Sequence, residues 1–230
     1  MEINVEGKEV KIVCISTAHT KLAKDQSKSV KVCSLVKELI NKEGTGKVDV
    51  EIVALKDYEI RPCSLCGGCY ESGRCVCDDE INRLLSQIET AQGLFLVVPH
   101  YSPIPSKLIM LFEKINEISY AGWINDDKYQ SPFYNMPVGI IGHGGMAESE
   151  KVLKYYHDHL VTPVANTLKS LSFKVISMDH DFTNGVCFGL KDDNCIKKVP
   201  DSIFPQIIQD WPGIEERIYP FVRKGLAEMM

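Results

Sequence analysis

The chain has 230 residues, of which 44% are hydrophobic and 25% charged, and its formal net charge is -5. This composition suits one large folded domain, and the acidic balance provides no basic surface for a nucleic-acid backbone. No apolar run reaches the roughly 18 residues that a membrane helix needs, and the amino terminus lacks the apolar core of a signal peptide, so we expect a cytoplasmic protein.

Strands and helices alternate along most of the chain. Short apolar runs rich in β-branched residues predict strands at residues 10–15, 48–55, 93–98, 137–142 and 173–176. Apolar residues at helical spacing predict helices at 29–42, from Asp78 or Asp79 onward, after the loop 100–105, and at 148–171 with a break at Pro163. Residues 120–136 are interpreted as an irregular excursion and 200–230 as a broken C-terminal helix.

This alternation predicts an α/β fold with right-handed crossovers between parallel strands. Five strands suit a flavodoxin-like three-layer sandwich, in which a five-stranded parallel sheet carries helices on both faces. In such a sheet the ligand lies outside the carboxyl ends of the strands, so the loops after strands one, three and four are expected to form the site. We expect residues 1–178 to form this domain and 179–230 to be a C-terminal extension packed on it.

Cysteines are concentrated in one loop. Of the nine in the chain, five fall within fifteen residues: Cys63, Cys66, Cys69, Cys75 and Cys77. The first four have the spacing C-x2-C-x2-C-x5-C, which suits four thiolates around a [4Fe-4S] cluster. Four thiolates also suit a tetrahedral zinc ion, and free surface thiols are the third interpretation. Cys77 lies outside the pattern and is interpreted as a bystander.

Three segments carry a family resemblance. They are RPCSLCGGCYESGRCVCDDE at 61–80, PHYSPIPSKLIMLFEK at 99–114 and GHGGM at 142–146. In composition and order they resemble the NAD(P)H-dependent FMN reductases and the related iron-sulfur flavoproteins. The resemblance implies bound FMN, NAD(P)H as the electron-donating substrate, and a homodimer or homotetramer.

The resemblance and the fold together give candidate FMN-binding residues. Hydroxyls, positive charge and a helix start suit the phosphate, and the loops after strands three and four suit the ring. The candidates are Ser16, His19, Ser27, Lys28, Ser29, Pro99, His100, Tyr101, Ser102, Gly142, His143, Gly144 and Gly145. The loop 16–29 departs from the family pattern because it is longer and lacks glycine.

Each candidate segment also has a plainer interpretation. The first loop can be a polar turn with a serine cap, and Tyr101 can cap the core beside three rigidifying prolines. Gly142–Gly145 is expected to be a loop with close backbone approach and positive φ values, in which His143 is either a ring contact or an exposed residue. His157 and His159 are expected to be exposed on different helix faces, and the motif Gly-x-Ser-x-Gly of a hydrolase is absent.

These observations lead to three functional hypotheses. The first is an FMN-dependent oxidoreductase that moves electrons from NAD(P)H to a small acceptor such as a quinone or a flavin, with no side chain needed as an acid or base. The second is an iron-sulfur flavoprotein that relays single electrons between a ferredoxin-like partner and FMN through a [4Fe-4S] cluster. The third, kept open by the glycine-free first loop, is a flavin-less binding domain.

Overall fold

A central parallel sheet organises the computed structural model, which describes residues 10–19, 27–43, 48–203 and 205–230. The strands lie in the order β2-β1-β3-β4-β5. Their bounds are β1 Val10–Ser16, β2 Val48–Ala54, β3 Gly93–Pro99, β4 Pro137–Ala147 and β5 Lys174–Val175. The order and the parallel pairing confirm the predicted flavodoxin-like sheet.

Helices cover both faces of this sheet, as predicted. They are α1 Lys28–Glu43, α2 Cys69–Ser72, α3 Asp79–Glu89, α4 Ser106–Asn125, α5 Glu150–Tyr156, α6 Thr162–Ser170 and α7 Trp211–Met229. Along β3, Leu94 and Leu96 belong to the core shared with α3, α4 and α6. Phe95 and Val97 belong to the core shared with α1 and α7. This alternation follows from the two-residue period of a strand, and it makes β3 buried on both sides.

A sixth strand, β6 (Val186–Leu190), was not predicted from the sequence. It pairs in parallel with the carboxyl half of β4, whereas β5 pairs only with the first two residues of β4. One edge of the sheet is thus occupied by two short strands in succession. The run VCFGL is only five residues long and contains a glycine, so its pattern alone does not indicate a buried strand.

The C-terminal helix α7 is continuous over Trp211–Met229 although Pro220 lies inside it, so the predicted break is wrong. Phe221 next to the proline is fully buried and meets Phe95 edge-on, with ring centroids 6.3 Å apart. The tertiary packing of this face compensates the backbone hydrogen bond that a proline removes. Before α7, the strands β7 (Ile196–Lys197) and β8 (Gln206–Ile207) form a small antiparallel pair.

Three further predictions need correction. The helix α4 runs on to Asn125, so the first part of the expected excursion at 120–136 is helical. No break occurs at Pro163: α5 passes through a π-helical turn at His157–Val161 into α6, whose first turn accommodates the proline. The His157 side chain is only 12% exposed and meets Phe182 edge-on, whereas His159 is exposed as expected.

Two other features of the helices can be compared with the sequence predictions. The side chain of Asp78 caps α3 by accepting a hydrogen bond from the backbone N-H of Ile81, which decides between the two predicted caps. Within the described ranges, no helix is both long and apolar enough to cross a membrane.

Candidate functional site

A cavity of about 260 Å³ opens at the carboxyl edge of the sheet, where the ends of β1, β3 and β4 meet the start of α1. Nine of the thirteen candidate residues line it: Ser27, Lys28, Ser29, Pro99, His100, Tyr101, His143, Gly144 and Gly145. Ala18 also lines the cavity. Sequence reasoning missed it because a small apolar side chain carries no chemical signal.

The other four candidates lie outside the wall of this cavity. Gly142 is inside β4, where a Cβ would come within 2.8 Å of Val161, so its role is close packing against the π-helical turn. His19 is exposed and meets Tyr101 edge-on at 5.0 Å. Ser102 is exposed at the tip of the loop after β3, with a φ of 58°. Ser16 is fully buried at the end of β1.

The start of α1 and the end of β1 provide donors for an anion. The first N-H groups of a helix have no partner inside the helix and favour negative charge. Ser16 Oγ is buried with no hydrogen-bond partner among the described residues, which is costly unless something supplies one. Burial lowers the pKa of Lys28, and the nearby Cys195 opposes this in part. Residues 20–26 of the predicted phosphate loop lie outside the described residues.

His143 connects β4 to α1 beneath the cavity. Its Nε2 lies 2.8 Å from Ser29 Oγ, and its ring stacks on Phe188 with centroids 5.5 Å apart. The side chain is 6% exposed, so the interpretation as an exposed loop residue is wrong. Burial, together with the charge of Lys28, lowers the pKa of His143 to about 3. The imidazole is therefore neutral at physiological pH and fixes the orientation of Ser29.

The glycine-rich segment belongs to β4 and not to a loop, because the strand continues to Ala147. Its glycines are not needed for positive φ values: the described glycines with positive φ are Gly67, Gly73 and Gly185. At Gly144 a Cβ would lie 2.0 Å from the hydroxyl oxygen of the buried Tyr156. At Gly145 a Cβ would have no atom within 4 Å, so this backbone faces open space in the cavity. The close contact that requires a glycine at 144 is thus with Tyr156, and the approach of this segment to a ring stays a prediction.

The loop after β3 is tied to β4 and to α5. The backbone N-H of His100 donates to the carbonyl of His143 at 2.8 Å. The imidazole Nε2 of His100 lies 3.3 Å from the hydroxyl of Tyr155, and burial lowers the pKa of His100. His100 lines the cavity and forms an aromatic pair with the exposed Tyr155, which lies outside the lining. The Tyr155 ring also contacts that of His159, with centroids 4.8 Å apart.

A second cavity, of about 120 Å³, brings all five clustered cysteines together. Its lining includes Cys63, Cys66, Cys69, Cys75 and Cys77, together with Lys114 and Glu117 from α4. Cys77 is therefore part of the same wall as the four pattern cysteines, and its Sγ lies 3.5 Å from that of Cys66. As arranged, no three His, Cys, Asp or Glu side chains of the described residues form a preformed metal site.

Hydrogen bonds, burial and nearby charges shift the pKa values of several groups in the cysteine cavity. Backbone donation from Gly68 and the contact with Cys77 lower the pKa of Cys66, whereas burial raises the pKa of Cys69. Lys114 Nζ lies 3.2 Å from Cys75 Sγ. Burial lowers the pKa of Lys114, but the contact with Cys75 and the nearby Cys63 and Asp78 together raise it above its usual value.

The cysteine loop is anchored firmly to α3. The side chain of Asn82 accepts from the backbone N-H of Cys75 at 3.0 Å and donates to its carbonyl at 2.7 Å. Arg74 makes a two-pronged ion pair with Glu89 at 2.6 and 2.7 Å. These contacts fix the backbone at Arg74 and Cys75 against α3.

Comparisons with known proteins agree with this architecture. The family model described as NADPH-dependent FMN reductase matches residues 10–177. An iron-sulfur flavoprotein of Methanocaldococcus jannaschii is 30% identical over 81 residues, which are 35% of this chain and 42% of that protein. An iron-sulfur flavoprotein of Methanosarcina thermophila is 25% identical over 111 residues, which are 48% of this chain and 55% of that protein. The chain thus spans about half the length of the curated relatives it matches.

The solved structure of RosB, crystallised with 8-demethyl-8-formylriboflavin-5'-phosphate, has a similar fold. Its TM-score is 0.58 and it is 19% identical, covering 96% of this chain and 76% of RosB. At this identity the likeness establishes the fold alone.

Proposed function

The chain belongs to the NADPH-dependent FMN reductase family, and on that premise we propose that it is an FMN-dependent oxidoreductase that transfers electrons from NAD(P)H to a small acceptor such as a quinone or a flavin. The observation that carries the proposal is the cavity at the carboxyl edge of the sheet. Two residues before the cavity-lining Ala18, the unpartnered Ser16 Oγ lies buried at the end of β1, and α1 begins at the cavity-lining Lys28.

The residues present fit FMN. A phosphate needs hydroxyl and N-H donors and positive charge, and Ser27, Lys28 and Ser29 supply these at a helix start. A flat ring needs backbone that comes close without side chains in the way, and Gly145 offers this because its Cβ position is open. When bound, FMN supplies the transfer of one or two electrons, which no side chain of this cavity can perform.

The protein's own residues then position and shield the cofactor. We propose that the neutral His143, whose Nε2 lies 2.8 Å from Ser29 Oγ, fixes the first turn of α1 beside the phosphate end of the cavity. The backbone of His100 is fixed on β4 through its bond to the His143 carbonyl, so the loop after β3 forms a rigid wall for the ring. We propose that the aromatic pair of His100 and Tyr155 borders the place where the nicotinamide or the acceptor lies.

A cofactor titration tests this proposal. Because Lys28 brings a charge to the cavity, we expect Lys28→Met to weaken FMN binding about tenfold, or about 1.4 kcal/mol. The dissociation constant of FMN is measured from the quenching of its fluorescence as apoprotein is added. Lys31→Met is the matched control, since Lys31 is exposed on the same helix and outside the cavity lining. Wild-type apoprotein that does not quench the fluorescence contradicts the proposal and favours the flavin-less binding domain.

The acceptor is identified by turnover. Purified protein loaded with FMN is expected to oxidise NADPH or NADH in the presence of a benzoquinone or free flavin. FMN-loaded protein that oxidises neither nucleotide with any acceptor contradicts the reductase assignment while leaving FMN binding intact.

A second candidate function is favoured by the cysteine cavity, where five thiols lie on one wall. We propose as this alternative that Cys63, Cys66, Cys69 and Cys75 hold a [4Fe-4S] cluster that exchanges single electrons with a ferredoxin-like partner. The spacing suits such a cluster, and both curated relatives are named iron-sulfur flavoproteins. Since the described residues hold no preformed metal site, binding of the cluster would require the four thiols to move closer together.

Metal analysis tests the cysteine site. After anaerobic reconstitution we expect about four iron and four sulfide per wild-type chain, and nearly none for Cys69→Ser. Cys77→Ser is the matched control because Cys77 shares the cavity but lies outside the C-x2-C-x2-C-x5-C spacing. If zinc alone is bound, or if Cys77→Ser loses iron as fully as Cys69→Ser, this ligand set is wrong.

The remaining expectations concern the oligomeric state of the protein and its location in the cell. By the family resemblance we propose a homodimer or homotetramer in the cytoplasm. Size-exclusion chromatography with light scattering distinguishes these assemblies from a monomer.

A further inference from the structure

A buried lysine lies against the cysteine cavity. Lys114 is 4% exposed, and among the described residues that line this cavity it is the only cation. Its neighbours one helical turn away on α4 are the apolar Leu111 and Ile118, which pack into the core. An apolar side chain would fit this helix face, so the presence of a charge there requires a partner.

The partner of this charge is a thiol of the cysteine site. Lys114 Nζ lies 3.2 Å from Cys75 Sγ, and Cys75 is itself 8% exposed. Other acidic groups that interact with the ammonium are Cys63, Asp78 and Cys77. Asp78 is already engaged, because its two carboxylate oxygens accept hydrogen bonds from the backbone N-H groups of Arg61 and Ile81. The Cys75 sulfur is therefore the group on which the lysine acts most directly.

We propose that Lys114 is a positioning residue of the cysteine site, whose ammonium compensates the thiolate charge through Cys75 and so makes the site easier to reduce. This inference rests on the second candidate function. Four thiolates give a [4Fe-4S] site a net negative charge, and each added electron makes this charge one unit more negative. A fixed cation with an N-H donor on a ligand sulfur stabilises the more negative state more strongly, because net charge and hydrogen bonds to sulfur set the potential.

The test replaces the charge while keeping the packing. Lys114→Met retains an unbranched side chain that can occupy the same space, and Lys114→Arg retains the charge and its N-H donors. Lys128→Met removes one positive charge from an exposed position outside the cavity lining and is the matched control. Each protein is reconstituted anaerobically with iron and sulfide and titrated with dithionite, which supplies one electron per cluster, while the reduced cluster is followed by electron paramagnetic resonance.

We expect Lys114→Met to lower the ratio of reduced to oxidised cluster about tenfold at a fixed potential, a shift of about 59 mV toward lower potential for a one-electron couple. Lys114→Arg is expected to recover most of this shift, and Lys128→Met to match wild type. A Met variant that takes up little cluster while the Arg variant loads fully also supports charge compensation.

Two outcomes overturn the inference in different ways. If wild type loads a cluster and Lys114→Met has the same potential as wild type, Lys114 has no such role and the relay remains. If wild type itself binds no iron and sulfide, the relay fails and the role of Lys114 fails with it. Equal circular dichroism spectra of the variants exclude misfolding as the cause of a shift.

Discussion

The Gly144→Ala apoprotein is expected to lose about 3 kcal/mol of unfolding free energy and to melt about 10 °C below wild type. A Cβ at this position would lie 2.0 Å from the Tyr156 hydroxyl oxygen and 2.1 Å from the ring carbon that carries it. Tyr156 cannot move away easily, because it is fully buried and its hydroxyl accepts a hydrogen bond from the backbone N-H of Met146 at 2.9 Å. To make room for the methyl group, either β4 or the end of α5, which carries Tyr156, must shift.

The neighbouring glycine supplies the control for this experiment. Gly145→Ala adds the same methyl group to the same strand, but no atom lies within 4 Å of its Cβ position. We expect its unfolding free energy to stay within about 0.5 kcal/mol of wild type. Urea-induced unfolding of both apoproteins, followed by circular dichroism, measures the difference. Equal stabilities of the two variants would show that Gly144 and Tyr156 do not meet as described.

Acid is expected to destabilise the protein through His143. Its pKa is about 3 in the folded protein against 6.5 for an ordinary histidine. The folded state favours the neutral ring, so this contribution is complete above pH 6.5 and is lost as the pH falls from 6.5 toward about 3. The slope is at most about 1.4 kcal/mol per pH unit, which amounts to about 2 kcal/mol at about pH 5.

A substitution isolates this contribution from that of other titrating groups. His143→Gln has no titrating side chain at this position but keeps an amide that can bond to Ser29. The groups around the ring are Ser29, Phe188 and the positively charged Lys28. We expect the difference in unfolding free energy between wild type and this variant to shrink by about 2 kcal/mol between neutral pH and about pH 5. A difference that does not change with pH would show that His143 becomes protonated in the folded state.

Local patterns were sufficient for most of the fold. The strand run at 93–98 is apolar throughout, and that at 10–15 is apolar except for Lys11. The helices between them show clear periodicity, so the parallel sheet follows from the sequence. That Lys28, His100 and Gly145 line one cavity was predictable for the same reason, since each lies at or near the end of an element whose position in the sheet is predictable.

The sequence by itself determined an α/β sheet with candidate binding loops at its carboxyl edge, because the strands and helices that place those loops depend on periods of two and 3.6 residues within single segments. Only the tertiary structure decided the pairing of β6 with β4, the contact of Ser29 with His143 across 114 residues, and that of Cys75 with Lys114 across 39. Such contacts depend on which segments pack together, and a single sequence does not record this. The requirement for glycine at position 144 was hidden for the same reason, because it comes from the packing of Tyr156 on α5 and not from the backbone angles of Gly144.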